Sequence, residues 1–239
     1  MAGRGGPPRR GARPTPRTGG KKPAPARKPK PAPAPAPPPL LSPGPFRLGA
    51  FPGATPGKWI DIWKQRMPRV ALELVPLDVS GQRDALLGGD VDAALVRLPI
   101  ERSGLHTIPL YDDAAVVVCE AQSHLTAADE LTPADLAGEV QIIPADDVTG
   151  IRIDGTAEPR FAPPETTADA VATVAAGVGI VIVPMSLARL HHRKDVTFRP
   201  LLGVPASAVA LAWREDDATD LVDVFVGIVR GRTANSSRH

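Results

Sequence analysis

Apolar positions in this chain recur with two periods, one helical and one strand-like, that alternate along its length. The longest continuous example is Glu165 to Met185, ETTADAVATVAAGVGIVIVPM. Val171, Val174 and Ala175 stand at i, i+3 and i+4, which predicts one face of a short helix. Thr166 or Thr167 caps its first free amides, and Asp169 in the first turn suits the positive helix end. Gly177 falls where the helix stops, and Gly179 keeps the next turn tight. Ile180 to Val183 is an unbroken β-branched run, the pattern of a strand covered on both faces. Pro184 ends it, having no N–H to give a ladder.

The same alternation runs through the rest of the chain. Phe46 to Phe51 (FRLGAF) predicts a strand, residues 52–57 (PGATPG) a loop, and Lys58 to Met67 a helix with Trp59, Ile62 and Trp63 on its apolar stripe. Val70 to Val75 alternates cleanly as a second strand, Ser80 to Leu87 is a short helix ended by Gly88 and Gly89, and Val91 to Val96 is a third strand. Strand, helix, strand, helix, strand implies parallel pairing with right-handed crossovers. Residues 97–108 read as loop-rich, and Leu110 to Glu120 contains the apolar run AAVVVC. Thr132 and Pro133 open a helical turn over Leu131 to Leu136, Val140 to Ile143 is a strand, and residues 145–164 carry no period. Ser186 to Leu190 predicts a short helix, and Thr197 to Leu202 and Val209 to Trp213 predict strands. Asp220 to Arg230 predicts a final helix, with Leu221, Val224, Phe225 and Ile228 in register.

Charge divides the chain differently. Residues 1–45 hold 15 of the 29 prolines, ten Lys and Arg, and no Asp or Glu. The remainder carries 18 Lys and Arg against 26 Asp and Glu, a formal charge of −8 beside +10 in the tail. With no large hydrophobe between Met1 and Leu40, residues 1–45 are expected to be a disordered basic arm, extended as polyproline II over 23–39. Its charge fits either a solubilising tail or salt-sensitive, non-specific contact with nucleic acid. No aromatic side chains are interleaved in it to stack on bases. No apolar run approaches the roughly 18 to 20 residues that span a bilayer, and no apolar segment follows the N-terminal charges as in a secretory signal. Cys119 is the single cysteine, so the chain has no internal disulfide framework. These features read as a cytoplasmic, reduced protein without a membrane partner.

The order of elements and several particular words resemble the effector-binding (substrate-binding) domain of LysR-type transcriptional regulators. FRLGAFPGAT is similar to the family's first strand and ligand loop, ALLGGDVDAALVRLP to the segment leading to a lobe-I aspartate and strand, and LYDDAAVVVCEAQSHL to its crossing strand. LTPADLAGEVQII is similar to the start of the second lobe, and TTADAVATVAAGVGIVIVP is the most specific likeness. The resemblance covers about residues 46–230 and implies an α/β fold: a two-lobed, type 2 periplasmic-binding-protein-like domain after a disordered N-terminal arm. Two Rossmann-like subdomains would be joined by crossing strands, lobe I at about 46–117 plus 214–230 and lobe II at about 118–213, with a disordered tail at 231–239.

The resemblance also implies a site. In the family a small organic acid or amide effector sits between the lobes. The corresponding positions here are Pro52, Gly53, Ala54 and Thr55, then Arg97, then Thr166 and Thr167, with Thr166 and Thr167 opposite Thr55. Amides and threonine hydroxyls at helix starts suit a carboxylate, and Arg97 would pair with it two-pronged. The competing reading is that the threonines only cap helices and Arg97 is a surface loop residue. The family's winged helix-turn-helix has its place taken here by the Pro/Lys/Arg tail. The segment between Ile143 and Thr166 is short and lacks the family's apolar helix, which implies a reduced or rebuilt cleft wall. Domains of this class pair, which implies a homodimer or a heterodimer with a LysR-type regulator.

Other candidate chemistry falls away on inspection. PGATPGK (52–58) has proline where a phosphate loop needs its first glycine, and Trp59 where it needs Ser or Thr. Asp112–Asp113, Asp146–Asp147 and Asp216–Asp217 sit in turn-like contexts and read as solvated charge, and His191–His192 as an exposed helix end. Cys119 reads as a buried free thiol, and Ser186 lacks the G-x-S-x-G elbow. The expectation is an effector-binding regulatory module without its own helix-turn-helix, not an enzyme, with no cofactor and no metal. The alternative is a nucleic-acid-associated protein that binds through the basic arm and uses the lobed domain to dimerise.

Overall fold

The computed structural model describes residues 44–216 and 219–231, together with Gly11. The disordered arm expected over 1–45 and the tail over 231–239 lie outside the described residues, apart from Gly11, Gly44, Pro45 and Gly231. Among the described residues nine strands and five α-helices follow in the order β1 (Phe46–Ala50), α1 (Gly57–Arg66), β2 (Leu72–Pro76), α2 (Gln82–Leu87), β3 (Ala93–Arg97), β4 (Leu105–Asp113), β5 (Ala115–Glu120), β6 (Gln141–Ile142), α3 (Thr167–Ala175), β7 (Ile180–Pro184), α4 (Met185–Leu190), β8 (Val196–Pro200), β9 (Ser207–Arg214) and α5 (Asp220–Val229). They build two sheets, ordered β2-β1-β3-β9-β4 and β6-β7-β5-β8. The two-lobed α/β expectation is met.

In the first sheet, β1 pairs parallel with β2 and β3, as the alternating strand–helix pattern requires. Alternation then sorts residues by size onto its two faces. Phe46, Leu48, Leu95, Leu211 and Trp213 pack with Trp63 of α1 and Phe225 of α5. The rings of Phe46 and Trp63 stack at 4.7 Å, Phe225 lies 5.1 Å from Phe46, and the Trp63 indole N–H donates to the Val70 carbonyl at 3.0 Å. The opposite face carries Ala94, Val96, Ala210 and Ala212, small side chains against which Leu86 of α2 is fully buried.

In the second sheet, β5 and β7 are buried on both faces, because their aliphatic runs feed two cores at once. Val117, Cys119, Ile180 and Ile182 face one core. Val116, Val118, Val181 and Val183 face α3, whose Ala170, Val171 and Val174 are buried. Thr166 caps α3 by accepting from the Asp169 amide at 3.1 Å. No described helix is long and apolar enough to cross a membrane.

Two features differ from the sequence reading. The stretch expected as loop up to residue 108 already contains the start of β4, which pairs antiparallel with β9 from Leu105 onward. Pro109 lacks an N–H, and the register shifts between Pro109 and Tyr111, so local pattern hides a strand that long-range pairing supplies. Secondly, β9 hydrogen-bonds with β3 and β4, and β5 begins at Ala115 in the second sheet. Pairing therefore places residues 207–213 with the first sheet and 115–117 with the second, whereas the sequence division had them the other way round. A run such as VALAW shows a strand but not its partner.

The close approach of β6 to β7 gives a test. A Cβ on Gly179 would run into the Val140 carbonyl oxygen and lie 2.9 Å from the Val140 Cβ. That same carbonyl accepts from Ile180 N at 2.9 Å. Gly179→Ala should cost about 1–3 kcal/mol in urea unfolding, as β6 is pushed off its neighbour. Gly57→Ala, where the new methyl meets open space at the start of α1, should be neutral or stabilise by up to about 1 kcal/mol.

Candidate functional site

Arg97 ends β3, and its side chain is only 2% exposed. Gln82, at the start of α2, clamps its backbone: the Gln82 side-chain amide donates to the Arg97 carbonyl at 2.7 Å, and the Arg97 amide donates back to Gln82 Oε1 at 3.0 Å. This holds the guanidinium 4.2 Å from the centre of the Phe51 ring. Its Nη2 donates to Asp113 Oδ2 at 3.0 Å and to Ser186 Oγ at 2.9 Å, and Nη1 donates to Ser207 Oγ at 2.9 Å. Asp113 also accepts from Ser186, through the amide at 3.1 Å and the hydroxyl at 2.5 Å. β3, the end of β4 and the start of β9 belong to the first sheet, whereas Ser186 lies on α4, directly after β7 of the second. The ion pair lies within the first lobe, and the hydrogen bonds of Ser186 to both its members tie the second lobe to it.

The expected two-pronged grip of Arg97 on a ligand carboxylate is therefore corrected. Either face of the guanidinium fork uses Nη2, and both its hydrogens go to Asp113 and Ser186. The alternative of a surface loop residue does not hold either. The side chain is buried as an interlobe strut, with Nε unpartnered.

The residues singled out from sequence separate into two places. Pro52, Arg97, Thr166 and Thr167 line one cleft of about 820 Å³ between the lobes, together with Asp78, Ser80, Asp146, Leu187 and His191. Gly53, Ala54 and Thr55 line a different groove of about 570 Å³ with Tyr111, Asp112, Asp113, Ser186 and Arg189. Thr55 does not stand opposite Thr167 across one cleft. Gly53 explains the division. Its φ of +87° and its lack of a Cβ let the loop after β1 dock on the start of α4, where a Cβ would lie 3.1 Å from the Ser186 carbonyl carbon. The docked loop and α4 form the wall between cleft and groove.

Both threonine hydroxyls in the cleft are engaged. Thr166 Oγ1 accepts from Asp169 N and donates to Asp169 Oδ2 at 2.7 Å, and the buried Thr167 donates to Asp146 Oδ1 at 2.9 Å. The wall expected to be rebuilt is a packed irregular segment. Gln141 organises it, donating to Ile151 O at 2.8 Å and accepting from Ile153 N at 3.0 Å, which places Ile151 and Ile153 in the core. Asp147 accepts from Thr149 at its amide and hydroxyl and pairs with Arg152 at 2.8 Å, shaping the turn at the cleft mouth. Sequence reading missed Asp78, Ser80, Asp146, Leu187 and His191 as lining residues. They come from three separate segments, and only the fold brings these together. Among the described residues no group of three His, Cys, Asp or Glu is placed to hold a metal.

Two titratable groups are shifted by burial. Tyr111, on the groove wall, has its phenol pushed up, first by desolvation and then by the Asp113 carboxylate. The Cys119 thiol is likewise pushed up by desolvation, as befits a side chain with no exposed surface.

Comparison with known proteins matches this geometry to one family. The profile of the LysR substrate binding domain matches residues 41–234. The Hca operon transcriptional activator HcaR of Escherichia coli is 26% identical over 189 residues, covering 74% of this chain and 63% of its own. The regulator AlsR of Bacillus subtilis is 27% identical over 176 residues, covering 70% and 58%. The chain spans about three fifths of the length of these curated relatives. Among solved structures, the BenM effector binding domain with its effector benzoate has a TM-score of 0.64 at 21% identity, over 78% of this chain and 90% of that one. The reduced OxyR regulatory domain of Pseudomonas aeruginosa has a TM-score of 0.61 at 22% identity, over 78% and 95%. At these identities the likeness to solved structures is one of fold.

Two measurements test the strut. Asp113→Ala leaves a buried guanidinium uncompensated and should lower unfolding free energy by about 3–5 kcal/mol in urea titration. Tyr111 is the chain's only tyrosine, so phenolate absorbance reports on it alone. Its midpoint in the native protein should lie above 10.0, the ordinary value of a tyrosine phenol. Because the folded pKa is raised, the phenol's contribution is fully present below the unfolded midpoint. Stability should fall as pH rises from about 10 through the folded value.

Proposed function

The chain belongs to the LysR substrate binding domain family, and from that premise we propose that it is the sensing module of a transcriptional regulator, binding a small molecule in the cleft between its lobes. The observation that carries this reading is the cleft of about 820 Å³, lined by Pro52, Asp78 and Arg97 from one lobe and by Asp146, Thr167 and Leu187 from the other. Such a volume suits a small organic ligand. A ligand touching both lobes binds the closed arrangement better than the open one, and that difference alone can shift their equilibrium. The Arg97–Asp113–Ser186 contact is the natural pivot, since it joins the sheets beside the cleft.

The resemblance implied an organic acid or an amide. The carboxylates lining the cleft only accept hydrogen bonds, which suits a ligand group that donates, such as an amide N–H, over an organic acid. Catalysis is not proposed. The Ser186 hydroxyl donates to Asp113, whose carboxylate is already neutralised by the buried Arg97 guanidinium. A cytoplasmic regulator that pairs, with itself or with a LysR-type relative, fits the family. β2 offers an edge strand with Leu74 half exposed as one element of such a contact. The nucleic-acid reading of residues 1–45 rests on charge alone.

A thermal-shift screen of small organic compounds tests the reading. A true effector at a hundredfold its Kd should stabilise the protein by about 2.7 kcal/mol. Ala168→Trp, which fills the cleft from an exposed position on α3, should abolish the response without unfolding the chain. If no compound stabilises, or if the response survives in Ala168→Trp, the proposal fails. Light scattering on the same samples should return about twice the chain mass.

A further inference from the structure

The charge lining the interlobe cleft is one-sided. Asp78, Asp146, Asp147 and Glu165 all line it, and the only Lys or Arg among the lining residues is Arg97. That arginine is already neutralised by Asp113, with Nη1 and Nη2 given to protein groups. Asp147 is answered by Arg152. Among the described residues, Asp78, Asp146 and Glu165 have no ion-pair partner, and Asp146 receives only the neutral hydroxyl of Thr167. The start of α3 does not reverse this balance. Its partial positive charge is met by Asp169 in the first turn, held by Thr166, with Glu165 and Asp146 beside it. Between the carboxylates the lining is apolar, from Pro52, Val79, Val148, Ala168 and Leu187.

We propose that this cleft selects an organic cation, a compact apolar body bearing a primary ammonium group, and discriminates against the carboxylate of the same skeleton. The inference rests on the cleft being the effector site. An ammonium offers three donors to carboxylates that lack cationic partners, and a carboxylate placed there meets the like charge of Asp78, Asp146 and Glu165. The apolar patch takes the body of the ligand, so neither feature alone suffices. Solvent at the cleft mouth screens the attraction, so salt weakens it.

The test uses matched pairs, primary amines against carboxylates and amides of identical aromatic and aliphatic skeletons, titrated by calorimetry at about pH 8, where primary amines are ordinarily protonated. At least one amine should bind on the order of tenfold more tightly than its carboxylate, and lose that margin at high salt. Asp146→Asn with Glu165→Gln keeps shape and removes two charges from exposed positions. It should weaken the amine about tenfold and leave the amide unchanged. If carboxylates bind as well as or better than their amines, the charge inference is overturned while the effector site stands. If no compound of any class binds, both fall. Should the double variant fail to fold, the comparison of amine with carboxylate on the unaltered protein decides alone.

Discussion

A guanidinium stripped of water is expensive, by several kcal/mol even after relaxation, and is tolerated only where its donors are met. In Arg97 the charge and both terminal nitrogens are met while Nε is left unpartnered, and meeting them organises this molecule. Asp113 must arrive from the end of β4, Ser207 from the start of β9 and Ser186 from α4. The first two bring the crossing strands together, and the third brings the second lobe to the first. Gln82 fixes the backbone from which the arginine extends, so α2 is part of the same constraint. Loss of any one member leaves charge or hydrogen-bonding capacity buried without an answer.

The same contact decides the chemistry of the surfaces around it. An arginine beside a ligand cleft reads from sequence as an anion receptor. Once its charge is returned to Asp113, the cleft is left with the carboxylates of Asp78, Asp146 and Glu165 and an apolar floor. The loop after β1 is drawn onto α4 through Gly53, which separates Thr55 from the cleft that holds Thr167. A site inferred by resemblance was thus divided by one close contact.

Much of the architecture was legible along the chain because it rests on local physics. The run Ile180 to Val183 is buried on both faces as its lack of polar alternation implied, and of the two expected cap candidates, Thr166 and Thr167, it is Thr166 that caps α3. The alternation of β1, β2 and β3 with α1 and α2 gave parallel pairing. Local pattern failed where partners are distant. β4 is interrupted at Pro109 and exists through its pairing with β9, and β9 itself was assigned to the wrong sheet. Residues 145–164 have no period because a single buried side chain, Gln141, orders them instead of a helix or strand ladder.

What the sequence determined by itself was most of the elements, their caps and ends and the α/β class, since each follows from neighbours a few residues apart, while the two lobes and the family followed from the resemblance of whole segments. What only the tertiary structure decided was the partner of Arg97, the wall between Thr55 and Thr167, and the charge of the cleft. Those depend on groups separated by 16, 89 and 110 positions, brought within 3.0 Å by the requirement that a buried cation be neutralised and its two terminal nitrogens hydrogen-bonded.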